Sequence, residues 1–243
     1  MIRNKKRATI FIFEPNPLNI GVTPALWLDI QDAPTVIKSG NTITGVNDKS
    51  GNGRNFATGG SPQYNATGVN NLPAADFSGG NRYLYRNAVI VPSTSDMTLF
   101  IVHQHTNVAT DQNLFNQYGS SSHANFNVEH FINNRTRMYN WPPGGYAIAP
   151  VYPSNGIPYI FSIRYDNDGN VIAQMNGGQQ GISAANPYTG NACNQTLIGI
   201  RKNPGFVRPA HTRMGELMMF PSVLNNAQYR LMDRYLKKHW NMN

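Results

Sequence analysis

Cysteine is nearly absent: Cys193 stands alone in 243 residues. An intrachain disulfide is therefore excluded, and so is a cysteine-based metal cluster. A chain of this size needs no disulfide even when secreted, so the redox compartment stays open. Cys193 falls in Gly190-Asn191-Ala192-Cys193-Asn194, just ahead of an apolar strand, the setting of a structural thiol rather than a nucleophile. Charge is also scarce, at 13% of residues, and the only glutamates are Glu14, Glu129 and Glu216. Glycoside hydrolysis generally uses two carboxylates flanking one bond, about 5–10 Å apart. No glutamate here has a second carboxylate two or four residues further on. Asp29 and Asp32 sit at a strand end before Pro34, and Asp166 and Asp168 belong to a turn. Neither a Gly-x-Ser-x-Gly elbow nor a Walker loop occurs. No apolar run is long enough to cross a membrane. Thr9–Phe13, ended by Glu14-Pro15-Asn16-Pro17, is too short for the core of a signal peptide. The expectation is a chain that is not an enzyme, takes no cofactor or metal, meets no membrane and has no export signal of its own.

What is abundant is turn chemistry, with 22 Gly, 16 Pro and 32 Asn. That composition, with 11% aromatic residues, fits many short strands joined by tight turns around a real core. The formal charge is +8. An excess of that sign suits an acidic partner (nucleic acid, an anionic glycan or an acidic protein face), or it simply serves solubility. Only Arg3, Lys5, Lys6 and Arg7 form a basic run and the rest are scattered, so nucleic acid is the weakest of these readings.

Residues 1–20 read as an arm, with a basic tip, a β-prone piece and a Pro-rich linker. Residues 21–243 read as one sandwich domain. Ala25–Asp29, Thr42–Val46 and Tyr83–Tyr85 have strand character. Met97–His103 is the strongest strand, apolar on both faces like a central strand. Tyr159–Tyr165 alternates, turns at Asp166–Asn170 and returns through Val171–Met175, a hairpin pattern. Gln195–Ile200 and Gly215–Phe220 complete the set. From Asn225 the period changes. Leu231, Met232, Tyr235, Leu236 and Trp240 recur at helical spacing, Asn225 with Gln228 resembles a capping box, and Lys237, Lys238 and His239 suit a helix C-terminus. The predicted helix covers residues 225–240.

The ordered landmarks are Leu26-Trp27-Leu28-Asp29, Asp48–Asn55, Pro62-Gln63-Tyr64, Leu72–Gly80, Thr98–Val102, Leu197-Ile198-Gly199 and Gly215–Phe220 running into Trp240. Together they resemble the concanavalin A-like lectin/glucanase superfold, specifically the LamG-like jelly-roll domains of phage virion and bacterial surface proteins. The resemblance implies an all-β, two-sheet antiparallel jelly-roll sandwich with a C-terminal amphipathic helix. It also implies a non-catalytic structural or attachment role on a virion, as a capsid decoration, tail or fibre component made in the host cytoplasm. A free carbohydrate-binding lectin is the first alternative and a polysaccharide-cleaving enzyme the second, because this fold hosts all three. The partners expected are other capsid or tail proteins, host-surface glycans, and copies of the same chain.

Three constellations carry possible chemistry. His103 and His105 share one strand face and have zinc or copper spacing, with His123 or His130 as a third ligand. The competing reading is a polar strand end. Asp48–Asn55 and Asp166–Asn170 are rich in oxygen ligands suited to calcium, although turn formation accounts for both. Arg135–Tyr146 concentrates Arg137, Tyr139, Asn140, Trp141 and Tyr146 on what reads as an exposed loop. Stacking on sugar, contact with a neighbouring subunit and local packing all fit that composition. The arm residues Arg3, Lys5, Lys6, Arg7, Ile10, Phe11 and Phe13 are the candidate assembly element. Removing residues 1–20 should leave a folded monomer and abolish self-association or uptake into particles. Size-exclusion chromatography with light scattering on both chain lengths checks this.

Overall fold

The computed structural model describes residues 15–92, 95–119, 124–131, 135–140, 146–168, 170–184, 193–203 and 206–242. The candidate assembly residues of the arm, with Trp141 and His123, lie outside them.

Nineteen strands and one α-helix are present among the described residues. The first nine are β1 (Leu26–Asp29), β2 (Val36–Ser39), β3 (Thr42–Val46), β4 (Phe56–Gly59), β5 (Gln63–Val69), β6 (Leu72–Asp76), β7 (Tyr83–Arg86), β8 (Met97–His105) and β9 (Gln112–Tyr118). There follow β10 (Ala124–Phe131), β11 (Arg135–Asn140), β12 (Tyr146–Ile148), β13 (Pro158–Tyr165), β14 (Asn170–Met175) and β15 (Gln180–Ala184). The chain ends with β16 (Gln195–Ile198), β17 (Ile200–Asn203), β18 (Phe206–Pro209), β19 (Thr212–Phe220) and α1 (Asn226–His239).

All pairings are antiparallel and form two layers. The back sheet runs β15-β14-β13-β8-β19. The far edge of β19 is shared: Arg213 and Met214 pair with β6, which carries β5, while Glu216–Met219 pair with β1. The front sheet runs β2-β3-β4-β7-β16-β9-β10-β11-β12. A bridge between Thr42 and Gln63 links the layers, and the β17–β18 hairpin packs against β9. This is a two-sheet antiparallel β-sandwich with a C-terminal helix.

Burial explains why β8 is apolar on both faces. Leu99 and Ile101 enter the core between the sheets, whereas Phe100 and Val102 enter a second core beneath α1. A strand covered on both sides loses the usual apolar/polar alternation. The helix contributes Tyr229, Met232 and Leu236 to that second core. Asn225 caps it, accepting from the Ala227 and Gln228 amides, and the Gln228 side chain returns to the Asn225 amide at 3.0 Å. Packing begins upstream of residue 21. Ile20 belongs to the helix-side core, and Gln228 Nε2 donates to the Ile20 carbonyl at 3.2 Å. A truncation ending at Glu14 therefore separates arm from domain more cleanly than one ending at residue 20.

The two oxygen-rich loops are closed by their own hydrogen bonds. The Asp48 carboxylate accepts from the amides of Trp27, Ser50 and Arg54 and from the Ser50 hydroxyl, at 2.7–3.0 Å. Asp166 accepts from the Asn170 amide at 2.7 Å and its side-chain nitrogen at 2.9 Å, which makes the β13–β14 turn. Turn chemistry accounts for both loops.

Gly215 interrupts the β19 register between Met214 and Glu216. A Cβ built there would lie 2.2 Å from the Trp240 ring, so the missing side chain is the seat of the indole. Gly215→Ala should destabilise the domain by about 1–3 kcal/mol through overpacking. A lower urea midpoint with an unchanged m-value is the expected result.

Candidate functional site

Three polar clusters lie inside or on this frame. The first joins the back sheet to α1. Register places Asp29 opposite Glu216, so the two carboxylates are cross-strand neighbours. Glu216 is fully buried. It accepts from Trp27 Nε1 and Trp240 Nε1, both at 2.7 Å, and from the Tyr235 hydroxyl at 3.1 Å. Asp29 meets Lys49 Nζ at 2.9 Å and His239 Nε2 at 3.5 Å, and the same ammonium reaches Asp32 at 2.8 Å. Burial, then the neighbouring Asp29, push the Glu216 carboxyl up to about 7. Burial alone would raise Asp29 too, but His239 and Lys49 outweigh it and hold that carboxyl below its ordinary value.

Two carboxylates with diverging pKa values are a pattern of acid–base catalysis, and Asp29, Glu216 and His239 bring ligand atoms within 4.8 Å of one another. The surroundings argue for anchoring instead. Both Glu216 oxygens already receive donors, and the Lys49 ammonium faces Asp29. The adjoining cavity, about 330 Å³, is lined by Pro15, Tyr235, Lys238 and His239, without either carboxylate.

The second cluster is a row of imidazoles at one end of the sandwich interior. The His103 and His105 ring centroids are 4.8 Å apart, and those of His105 and His130 are 4.6 Å apart. His130 is thus beside the strand pair, as a third ligand would have to be. The three rings nevertheless do not form a set of ligand nitrogens close enough for one ion; among the described residues only the Asp29 group does. His130 Nε2 faces the Val108 carbonyl at 3.0 Å, while Nε2 of His103 and of His105 has no partner. Burial lowers all three pKa values, that of His103 to about 4.

The third cluster lies on the outer face of the front sheet, where Arg135–Tyr146 was expected to form an exposed loop. Its described residues, 135–140 and 146, lie in strands instead: β11 pairs with β10 over its whole length and with β12 through Tyr139↔Tyr146, and Met138 is buried in the core. Apolar residues at alternate positions, which tie the segment into the sheet, explain the difference. Arg137 is consequently pinned, with its Nε and Nη2 on Glu129 Oε1 at 2.9 and 2.7 Å. Arg208 of β18 reaches Glu129 at 2.8 Å and Asp111 at 3.1 Å, and Arg201 of β17 stands 3.8 Å from Glu129. The Arg137 and Arg208 guanidiniums lie over the Phe131 ring, at 4.1 and 5.6 Å. Arg135 donates to the Tyr152 hydroxyl and sits 5.0 Å from its ring.

A cavity of about 320 Å³ opens here, lined by Phe131, Arg135, Arg137, Ile148 and Tyr152, the last 54% exposed. Of the predicted residues, the structure places Arg137 on this cavity and the backbones of Tyr139, Asn140 and Tyr146 on the adjoining hairpin. Glu129, Phe131, Tyr152 and Arg208 were not anticipated. Glu129, one of only three glutamates, was the available signal.

No family profile matches the chain, and no curated protein matches it by sequence. Solved structures do match in shape. Trypanosoma rangeli sialidase in complex with sialic acid superposes with a TM-score of 0.63 at 10% identity, over 88% of this chain and 33% of the sialidase. The ligand binding domain of botulinum neurotoxin serotype D, in complex with N-acetylneuraminic acid, gives 0.62 at 12% identity, over 87% of this chain and 50% of the other. The binding domain of botulinum neurotoxin DC, in complex with rat synaptotagmin II, gives 0.62 at 14%, over 88% and 52%. This chain therefore spans a third to a half of those it matches. At these identities the likeness shows the fold alone, a β-sandwich.

The buried titrating groups set the pH dependence of stability. His103, His105 and His130 have folded pKa values depressed below 6.5. The stability they contribute is present above 6.5 and is lost as pH falls toward their folded values. Glu216 acts in the opposite sense. Its value rises from 4.5 to about 7, so its contribution is complete below 4.5 and lost as pH rises through 7. His239, raised above 6.5, adds to that alkaline loss. Between pH 4.5 and 6.5, three imidazoles oppose one carboxylate. Unfolding then takes up at most about two protons, each worth about 1.4 kcal/mol per pH unit. The melting temperature should fall as pH drops from 6.5 to 4.5 and decline more gently above 7. Thermal melts across that range check the sign, and a flat acid limb contradicts it.

Proposed function

We propose that this chain is a non-catalytic carbohydrate-binding module that takes its ligand on the outer face of β10, β11 and β12. The observation that supports this most is the cavity combining the exposed Tyr152 ring and the half-buried Phe131 ring with the Arg135 and Arg137 guanidiniums. Aromatic faces offer apolar area to a sugar ring, and forked N–H donors suit its hydroxyl and carboxylate oxygens. Glu129 holds Arg137 from within, so one donor is preorganised rather than ordered at the moment of binding. Two of the similar structures are described with sialic acid or N-acetylneuraminic acid, which is compatible with an acidic sugar here. The non-catalytic part of the reading rests on the glutamates: Glu129 is committed to arginines, and Glu216 is sealed under α1.

A finer part of the same proposal is that the module is carried on a virion and serves attachment. That part rests on the resemblance of the sequence and on the arm. A protein partner is the competing occupant, since Tyr and Arg also dominate interface hot spots, and one similar domain is described with synaptotagmin II.

Glycan-array binding by the wild type, Tyr152→Ala and Arg135→Ala chains tests the site. Both substitutions should weaken binding about tenfold or more, the range of a lost aromatic or arginine anchor, with melting temperatures unchanged. If no glycan is retained, the carbohydrate reading is lost. Release of reducing ends from a retained polysaccharide would remove the non-catalytic part.

A further inference from the structure

Arg164 lies on the helix-facing side of β13 and is only 7% exposed. Its Nη1 donates to Asn226 Oδ1 at 2.7 Å, and its guanidinium stands 4.8 Å from the Tyr229 ring centroid. Among the described residues its Nε–H has no partner. No carboxylate of the described residues lies within 4.0 Å of its guanidinium, in contrast with Arg137, Arg208 and Arg213. A buried guanidinium stays charged, and buried charges are normally matched by a counter-charge. The Tyr229 ring compensates in part, but it brings no negative charge.

A cavity of about 250 Å³ opens beside this arginine, bounded by Arg164, Gln174, Asn226, Tyr229, Arg230 and Asp233. Two of its other polar side chains are also incompletely satisfied. Gln174, 4% exposed, donates through Nε2 to the Gly178 carbonyl at 3.0 Å, yet its Oε1 has no partner. Asp233 gives Oδ2 to Lys237 at 2.7 Å, and its Oδ1 has no partner. The Gly177 backbone passes so close to Asp233 that a Cβ there would lie 2.7 Å from both oxygens, which fixes that carboxylate at the cavity wall.

The cavity thus presents an unmatched cation with an unused N–H, and two unused acceptors. Water satisfies the acceptors but does not balance the cation. A fully deprotonated inorganic anion such as sulfate balances the cation but supplies no donors to Gln174 and Asp233. A molecule with one carboxylate and several hydroxyls answers both demands. We propose that this cavity binds a small hydroxylated carboxylate of the sugar-acid class, its carboxylate on Arg164 and its hydroxyls donating to Gln174 Oε1 and Asp233 Oδ1. The site stands apart from the β10–β12 face and does not depend on the reading of that face.

Isothermal titration of the full chain with sodium glucuronate, glucose and sodium sulfate at constant ionic strength tests this. The expected result is saturable glucuronate binding, about tenfold or more tighter than either control. Arg164→Met should lose that binding, and its ligand-free melting temperature should not fall. Arg230→Glu, a change at an exposed position, should weaken it about tenfold and covers the case in which Arg164→Met does not fold. Tyr152→Ala should leave it unchanged, which separates this site from the face proposed above. Absence of saturable binding overturns the proposal. So does sulfate binding as well as glucuronate, or glucuronate binding that survives in Arg230→Glu.

Discussion

A single carboxylate with no solvent, Glu216, holds the back of this protein together. Its three donors come from two distant parts of the chain: Trp27 on β1, and Tyr235 and Trp240 at the end of α1. An isolated buried charge is among the most costly features a core can contain, and a charge met by several donors is far less so. The donors therefore have no freedom to leave. The helix is positioned by this polar anchor at its C-terminal end and by apolar packing of Tyr229, Met232 and Leu236 along its length. With the helix in place, the outer face of the back sheet becomes a second core, and β8 can be apolar on both sides.

The same covering determines which surfaces can act. The back sheet is covered by α1, and cavities open beside arginines on the outer face of the front sheet and at the seam where α1 leaves β13 and β14. The two candidate sites differ in electrostatic design. On the front sheet, Glu129 and Asp111 meet Arg137, Arg201 and Arg208 beside the Phe131 ring, and the cluster keeps a net positive charge. At the seam, no carboxylate among the described residues lies within 4.0 Å of the Arg164 guanidinium, and Asp233 stands on the wall of the same cavity. Arginines held by carboxylates favour preorganised, shape-led recognition, whereas a buried charge with no close counter-charge favours one ligand charge type.

Legibility in the sequence followed locality. The β13–β14 hairpin and the capped helix were readable because their signals lie within a few residues: the Asp166–Asn170 turn, and Asn225 with Gln228. The β17–β18 hairpin was not, because its strands are short and polar and rest on another sheet. The candidate sites were harder still. Arg137 could be singled out by composition, but its partner cluster includes Arg208, which lies 79 residues along the chain from Glu129. Arg164 alternates with Ile163 and Tyr165 in the manner of a solvent-facing residue, and only the docking of α1 makes it buried. For residues 135–140 and 146–148, strands rather than a loop were hard to read for a related reason. The aromatic and basic composition masked the core-facing positions Met138 and Ala147.

The pairing of β1 with β19 has a consequence for the order of events during synthesis. Trp27 and the carboxylate it serves are separated by 189 positions. Antiparallel contacts over such a distance form late, because the loop between them must close first. At about 5–20 residues per second, the ribosome needs roughly ten to forty seconds to deliver that partner. Throughout that interval the Leu26–Asp29 segment, apolar and strand-prone, has emerged without its neighbour. The nascent chain therefore carries an unpaired strand segment throughout that interval, the kind of edge that can pair with another chain before its own partner arrives.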